Sequence, residues 1–172
     1  MRELLPSDID GMFELDSNPE VHKYLGKRPI TSKSQAQDNI NFIREQYHKR
    51  GIARFATVEK SSGDFIGWSG LKLNTGDKEA LGSKRDFYDI GYRFIPRYWG
   101  KGYATESSLA VLDFGFKDLK LDVIYGAAEI KNIGSNKVLQ KIGLNYIEQF
   151  PYEGELINWY ELKNEDYAKT MS

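Results

Sequence analysis

The chain has 172 residues, 40% of them hydrophobic, with 24 Lys and Arg against 25 Asp and Glu and a formal net charge of -1. That profile predicts one soluble globular domain over residues 1–172 with enough apolar material for a core, and no bulk attraction to nucleic acid or an anionic membrane. The lack of cysteine excludes disulfides and thiolate chemistry, and two histidines without H-x-x-x-H spacing, His22 and His48, argue against zinc. No metal is expected, although scattered carboxylates remain open to a hard cation. No apolar run of about 20 residues and no basic segment ahead of an apolar one appears, so neither a membrane span nor a leader is expected.

In chain order, Ser7 or Asp8 can cap a first helix carrying Ile9, Met12, Phe13 and Leu15. Pro19 suits the first position of a second short helix reaching Leu25. Residues 32–50 place Ala36, Ile40, Phe42, Ile43 and Tyr47 among polar residues, which predicts an amphipathic helix ending at Gly51. The period then changes. Residues 52–59 and 65–73 read as a hairpin around the "KSSGD" turn, residues 74–86 as irregular, and 87–95 as a third strand stopped by Pro96. A helix over 103–118 is expected to bury Tyr103, Leu109, Leu112 and Phe116, with Val111 close by. A strand over 121–130, a helix from Asn132 and two strands complete the order, with no linker biased enough to divide it.

The segment "IPRYWGKGYATE" joins the end of a strand to the start of a helix, where backbone N–H groups lack helical partners. Gly100 and Gly102 remove Cβ atoms where an anion would need close approach, and Arg97 and Lys101 would offset its charge. A plain tight turn accounts for the same glycines. The spacing matches neither the triphosphate-binding G-x-x-x-x-G-K-[ST] loop nor the dinucleotide G-x-G-x-x-G loop.

The run "DIGYRFIPRYWGKGYATESSLAVLDFGF", followed by "NIGSNKVLQKIGL", resembles the Gcn5-related N-acetyltransferase superfamily, in particular its ribosomal-protein alanine acetyltransferase-like branch. The superfamily signature falls on Arg97, Gly100 and Gly102, and the resemblance covers nearly the whole chain. It implies an α/β (α+β) fold with a mixed, mostly antiparallel sheet of six or seven strands, splayed between 87–95 and 121–130. It also implies acetyl-CoA as acetyl donor. The pyrophosphate would rest on the turn of Arg97, Tyr98, Trp99, Gly100, Lys101, Gly102, Tyr103 and Ala104. The pantetheine arm would pair with the backbone of Ile90, Gly91, Tyr92 and Phe94 as an added strand would. A side chain at Gly91 would crowd the thioester, although a glycine at a strand bulge reads the same way. In the second motif the resemblance points Asn132, Ser135 and Asn136 at the cofactor. Capping alone explains Asn132.

Acetyl transfer to an amine needs a proton acceptor for the nucleophile and a proton donor for the leaving thiolate, and no covalent enzyme intermediate. Asp89, two residues before Gly91 on the same strand face, is the candidate base. A surface carboxylate on a strand edge is the plain alternative. The family's tyrosine is missing after the second motif, which leaves Ser135 or a water it holds as the candidate acid. Trp159 and Tyr160 either line an acceptor pocket or pack in the core. The expected acceptor is a protein N-terminal amine or a small amine, the expected compartment the cytoplasm, and a homodimer is possible on the resemblance. A catalytically weak or inactive CoA-binding module is the alternative function.

Overall fold

The computed structural model describes residues 1–170. Among these residues six strands form one mixed sheet in the order β1-β2-β3-β4-β6-β5, the lower of the two strand counts expected. They are β1 (Arg54–Val58), β2 (Phe65–Asn74), β3 (Phe87–Phe94), β4 (Val123–Glu129), β5 (Asn145–Tyr152) and β6 (Glu155–Lys163). The helices are α1 (Ile9–Ser17), α2 (Pro19–His22), α3 (Lys33–Arg50), α4 (Tyr103–Asp113), α5 (Ile133–Lys141) and α6 (Asn164–Thr170). β1 pairs antiparallel with β2, β6 pairs antiparallel with both β4 and β5, and β3 runs parallel to β4 with Asp89 opposite Tyr125. The chain divides into two compact units, residues 1–70 with 91–107 and residues 71–90 with 108–172, so β2 and β3 each contribute to both.

In the first unit, Arg2 adds an isolated antiparallel bridge to Ala56 of β1. Asp8 precedes α1 but does not cap it with its side chain. Its carboxylate turns back to accept from both terminal nitrogens of Arg2, at 2.8 and 2.7 Å, and from the Leu5 N–H at 2.8 Å. Asn18 caps α2 by accepting from Glu20 N–H. α3 opens on a capping box in which the Ser32 hydroxyl and the Gln35 side chain exchange bonds with each other's backbone, and it closes on left-handed Gly51. Its Ala36, Ile40 and Ile43 join Leu4, Met12, Leu15, Ala56, Ile66 and Phe94 in the core. Phe42, expected inside, is exposed. It stands two residues and about 200° around the helix from Ile40, and Gln46 occupies the buried position instead.

In the second unit, Ser108, Val111, Leu112 and Phe116 make the buried stripe and Leu109 is left outside. An apolar-only reading passes over the serine that is small enough to be covered completely. The expected helix over 103–118 changes at Phe114–Asp118 to a wider π turn, with Leu119 N–H donating to Phe114 C=O at 3.1 Å. α6 had no counterpart in the sequence reading. It docks through Tyr167, whose ring stacks on Phe116 at 4.9 Å and whose hydroxyl donates to Asp113. Burial, then that bond and the Asp113 charge, push the Tyr167 phenol up to about 12. Among the described residues no helix is long and apolar enough to cross a membrane.

Candidate active site

In the first unit, β3 ends in a 3-10 turn, Pro96–Tyr98, before α4 starts at Tyr103. Proline supplies a preset φ and no N–H, so the strand cannot continue. Tyr98 N–H donates to Ile95 C=O at 2.9 Å and Trp99 N–H to Pro96 C=O at 3.0 Å. The indole N–H of Trp99 reaches back to Phe94 C=O at 2.7 Å. Tyr98 and Phe94 are buried in the core, so their side chains fix the turn and offer nothing to a ligand. Gly100 and Gly102 take φ of 72° and 88°, a conformation that side chains disfavour. Among the described residues, no atom outside the glycine and its two chain neighbours lies within 4 Å of where a Cβ would stand at either position.

The first bond within α4 runs from Glu106 N–H to Gly102 C=O at 3.0 Å, so the amides of Tyr103, Ala104 and Thr105 precede it. Two bare glycines before a helix start therefore present backbone donors and helix-dipole charge to open space, which fits the pyrophosphate of CoA. Lys101 is exposed beside them, its Nζ 5.2 Å from the Tyr98 ring centroid. Arg97, the signature arginine, instead pairs with Glu14 and lies 4.9 Å over the same ring. The Tyr103 hydroxyl donates to Glu59, and that bond, reinforced by burial, raises its phenol above the ordinary value.

At Gly91 the structure adds a reason for the missing side chain. A Cβ there would stand 2.7 Å from a terminal nitrogen of Arg54, whose other terminal nitrogen donates to Gly70 C=O at 2.6 Å. The Arg54 guanidinium lies 5.5 Å from the Trp68 ring centroid, and that of Arg93 lies 5.0 Å from the same ring. Arg93 is tied in turn to buried Asp16 at 2.6 Å.

In the second unit, Asp89 is not on a strand edge, since β3 lies between β2 and β4 in the sheet. Buried Asn74, at the end of β2, donates from Nδ2 to Asp89 Oδ1 at 2.7 Å and so fixes the carboxylate. Strand alternation puts Phe87 and Asp89 on one face, with Tyr125 opposite Asp89. Ile90 points to the other face and is buried. Trp159 stacks on Tyr125 at 5.0 Å and meets Phe87 edge-on at 5.0 Å. It both packs and lines a groove of about 430 Å³ together with Lys84, Phe87, Tyr125, Ile147 and Glu161.

The second motif divides into separate roles. Asn132 Oδ1 accepts from Ser135 N–H at 3.1 Å and caps α5, and Ser135 is half-buried on the first turn. Asn136, expected at the cofactor, is committed within the protein. Its Nδ2 donates to the carbonyls of Glu129 and Asn132 at 2.8 and 2.7 Å, and its Oδ1 accepts from Asn158 Nδ2 at 2.8 Å and the Tyr160 hydroxyl at 2.6 Å. Every amide valence is used, so the residue anchors α5 to β4 and β6. Tyr160 is correspondingly core, not pocket. Arg54, Asn74 and Asn158 had no signal in the sequence, because each acts through a partner distant along the chain.

Residues 1–145 match the family described as acetyltransferase (GNAT) domain. The uncharacterized N-acetyltransferase YnaD of Bacillus subtilis is 44% identical over 144 residues, 84% of this chain and 77% of that protein. The Escherichia coli spermidine N(1)-acetyltransferase is 26% identical over 159 residues, 92% of this chain and 75% of that protein. A solved structure of Vibrio cholerae spermidine N-acetyltransferase, in complex with CoA and spermine, superposes with a TM-score of 0.76 at 20% identity, covering 97% of this chain and 96% of that one. The family match over most of the chain and the shared fold lead to one assignment: the chain belongs to the GNAT family of acetyltransferases.

Proposed function

We propose that residues 1–172 act as one acetyltransferase domain that moves the acetyl group of acetyl-CoA directly to a primary amine. The observation that carries this reading is the turn before α4, where two glycines with positive φ and a helix start face open space. There the amides of residues 103–105 would receive the pyrophosphate, with Lys101 adding charge. The backbone of Gly91 and Tyr92 would hold the pantetheine arm. Acetyl-CoA supplies an activated thioester carbonyl.

Asp89, oriented by Asn74, takes the proton that the amine must lose to be nucleophilic. Ser135 is our candidate donor to the departing sulfur, held at the start of α5 by the Asn132 cap. Relatives named for spermidine support a small amine as acceptor. The ribosomal-protein alanine acetyltransferase-like branch, with a protein N-terminal amine as acceptor, is the competing assignment.

Calorimetry with acetyl-CoA, followed by a thiol-release assay against polyamines, amino sugars and short peptides, tests both levels. Binding with release on small amines is expected. Release on peptides alone moves the chain to the protein-modifying branch. Binding without release on any amine leaves a CoA-binding module, and absence of binding at millimolar acetyl-CoA overturns the reading.

A further inference from the structure

Residues 81–84 of the β2–β3 connection form a tight turn in which Leu81 and Lys84 exchange backbone hydrogen bonds of 3.2 and 3.0 Å. Gly82, with φ of 60°, lies close against the Phe150 ring, where even a Cβ would come within 3.2 Å. The turn thereby delivers Lys84 into the groove. Its ammonium lies 5.6 Å from the Trp159 ring centroid and 6.0 Å from that of Phe150, and it pairs with Glu148. Ring faces carry negative charge density, so two of them beside a carboxylate select a cation and prefer an ammonium to a neutral group.

The walls of this cage are fixed. Trp159 is 3% exposed and is braced by Tyr125 and Phe87. A second carboxylate, Glu161, lines the groove and meets Lys163 at 3.7 Å. It also bonds the Tyr125 hydroxyl, and burial followed by the charge and hydrogen bond of Glu161 raises that phenol. The groove is also lined by Arg85, which is paired with Asp77, so the place suited to a further cation is the ring-lined corner that Lys84 itself fills. The groove also opens on the sheet face that carries the candidate base, because Phe87 lines it and Asp89 follows two residues along the same face. The step from Phe87 to Asp89 is about 7 Å along the strand.

We propose that Lys84 is a built-in competitor for the acceptor, standing where the distal ammonium of a diamine or polyamine binds among Trp159, Phe150 and Glu148. The amine at the other end of the same molecule meets Asp89. The inference rests on the acetyl-transfer reading and adds to it a substrate class and the residue that tunes it. A monoamine cannot replace the Lys84 ammonium and react at once, so the groove separates acceptors by their second charge.

The test compares 1,4-diaminobutane with 1-aminobutane in the thiol-release assay, using the parent protein, Lys84→Met, Glu148→Gln and Phe150→Leu. The parent is expected to show a KM for the diamine about ten-fold below that for the monoamine. Lys84→Met removes the competitor and should lower the diamine KM about three-fold or more with kcat unchanged, leaving the monoamine KM unmoved. Glu148→Gln and Phe150→Leu should raise the diamine KM alone. A diamine KM that is unchanged or higher in Lys84→Met overturns the proposal, as does a parent that treats the two amines alike. The Trp159 indole N–H signal gives a readout independent of turnover. Titration with 1,4-diaminobutane should shift it at lower concentration in Lys84→Met than in the parent, and a signal that stays put overturns the assignment. Calorimetry of acetyl-CoA binding separates the two levels. Normal CoA binding and acetyl transfer with no Lys84 effect remove the groove assignment alone, whereas loss of CoA binding in the parent removes both.

Discussion

The turn before α4 and the start of α5 hold the two motifs that carry the family resemblance, yet they are built on opposite principles. The turn is backbone stripped bare: Gly100 and Gly102 face open space, and the side chains around them, Tyr98, Trp99 and Arg97, are turned to Phe94, Glu14 and the core. The start of α5 is side chain used to completion, with Asn132 capping the helix and Asn136 making four bonds inside the protein. A signature residue can therefore mark a ligand contact or the frame that holds one. Only the three-dimensional fate of its polar atoms separates the two.

The sharpest way to break that contrast is Gly102→Asp. A carboxylate at this position would meet the pyrophosphate head-on, and a side chain must adopt φ near 88°. We expect acetyl-CoA affinity to fall about 1000-fold, from charge repulsion and strain together. Gly102→Asn tolerates the same backbone without the charge, and its smaller loss measures the strain alone. If the aspartate variant folds and binds CoA as the parent does, the turn is not the anion site.

Next in size is Asp89→Asn, on the strand that leads into the turn. The amide oxygen can still accept from Asn74 Nδ2, so the fold should be kept while the proton acceptor is lost. Turnover is expected to drop about 100-fold with acetyl-CoA affinity almost unchanged. The residual rate should climb with pH as more of the amine is neutral unaided. Activity equal to the parent from about pH 6 to 9, under conditions where chemistry limits the rate, would remove Asp89 from the mechanism.

Asn136→Ala should act on stability instead. It removes the acceptor of the Tyr160 hydroxyl, on a residue 1% exposed, and one of the two donors to each of the Glu129 and Asn132 carbonyls, which keep the backbone N–H groups of Asn132 and Asn136. A loss of about 2 kcal/mol in urea unfolding is expected, with CoA affinity per folded molecule preserved. Ser135→Ala should do the reverse, leaving the unfolding midpoint in place while slowing turnover. A variant of Asn136 that is fully stable but blind to CoA would return that residue to the cofactor.

These contrasts also mark what the sequence could express. Helix starts at Asn18, Ser32 and Asn132, the stop at Gly51 and the strand end at Pro96 were legible because each is a local decision of one or two residues and their nearest backbone. The errors share another cause. Phe42 and Leu109 were assigned to the core by their hydrophobicity, whereas Gln46 and Ser108 took the covered positions by angle and size. Asn74, Arg54 and Lys84 were illegible because their roles come from pairings across 15 to 64 positions of chain. α6 was missed because its anchor is a single tyrosine, Tyr167, docking on Phe116.

The smallest expected effect extends the same contrast to buried polar groups. Every amide atom of Asn136 has a partner, whereas among the described residues neither ring nitrogen of His22 makes a hydrogen bond of ordinary geometry, although the residue is only 7% exposed and the Asp16 backbone and carboxylate both act on it. Its Nε2 lies 3.9 Å from Asp16 Oδ1, beyond hydrogen-bond reach, and Asp16 is already held by Arg93 at 2.6 Å and Asn39 at 2.9 Å. Burial, followed by the Arg93 charge, lowers the imidazole pKa below its ordinary 6.5, against the opposing pull of Asp16. The folded protein then binds fewer protons than the unfolded chain once the pH drops below that ordinary value. Its stability from this group is complete above pH 6.5 and declines as the pH falls toward the folded-state pKa. One proton sets the ceiling on the slope, about 1.4 kcal/mol per pH unit. Urea midpoints measured from about pH 7.5 down to 5.5 should therefore decrease, and the decrease should be shallower in His22→Leu, which has no proton to gain. Parallel pH profiles for parent and variant would mean that His22 takes up its proton equally in both states, and that the orphaned imidazole is not the strained member of the Asp16 cluster.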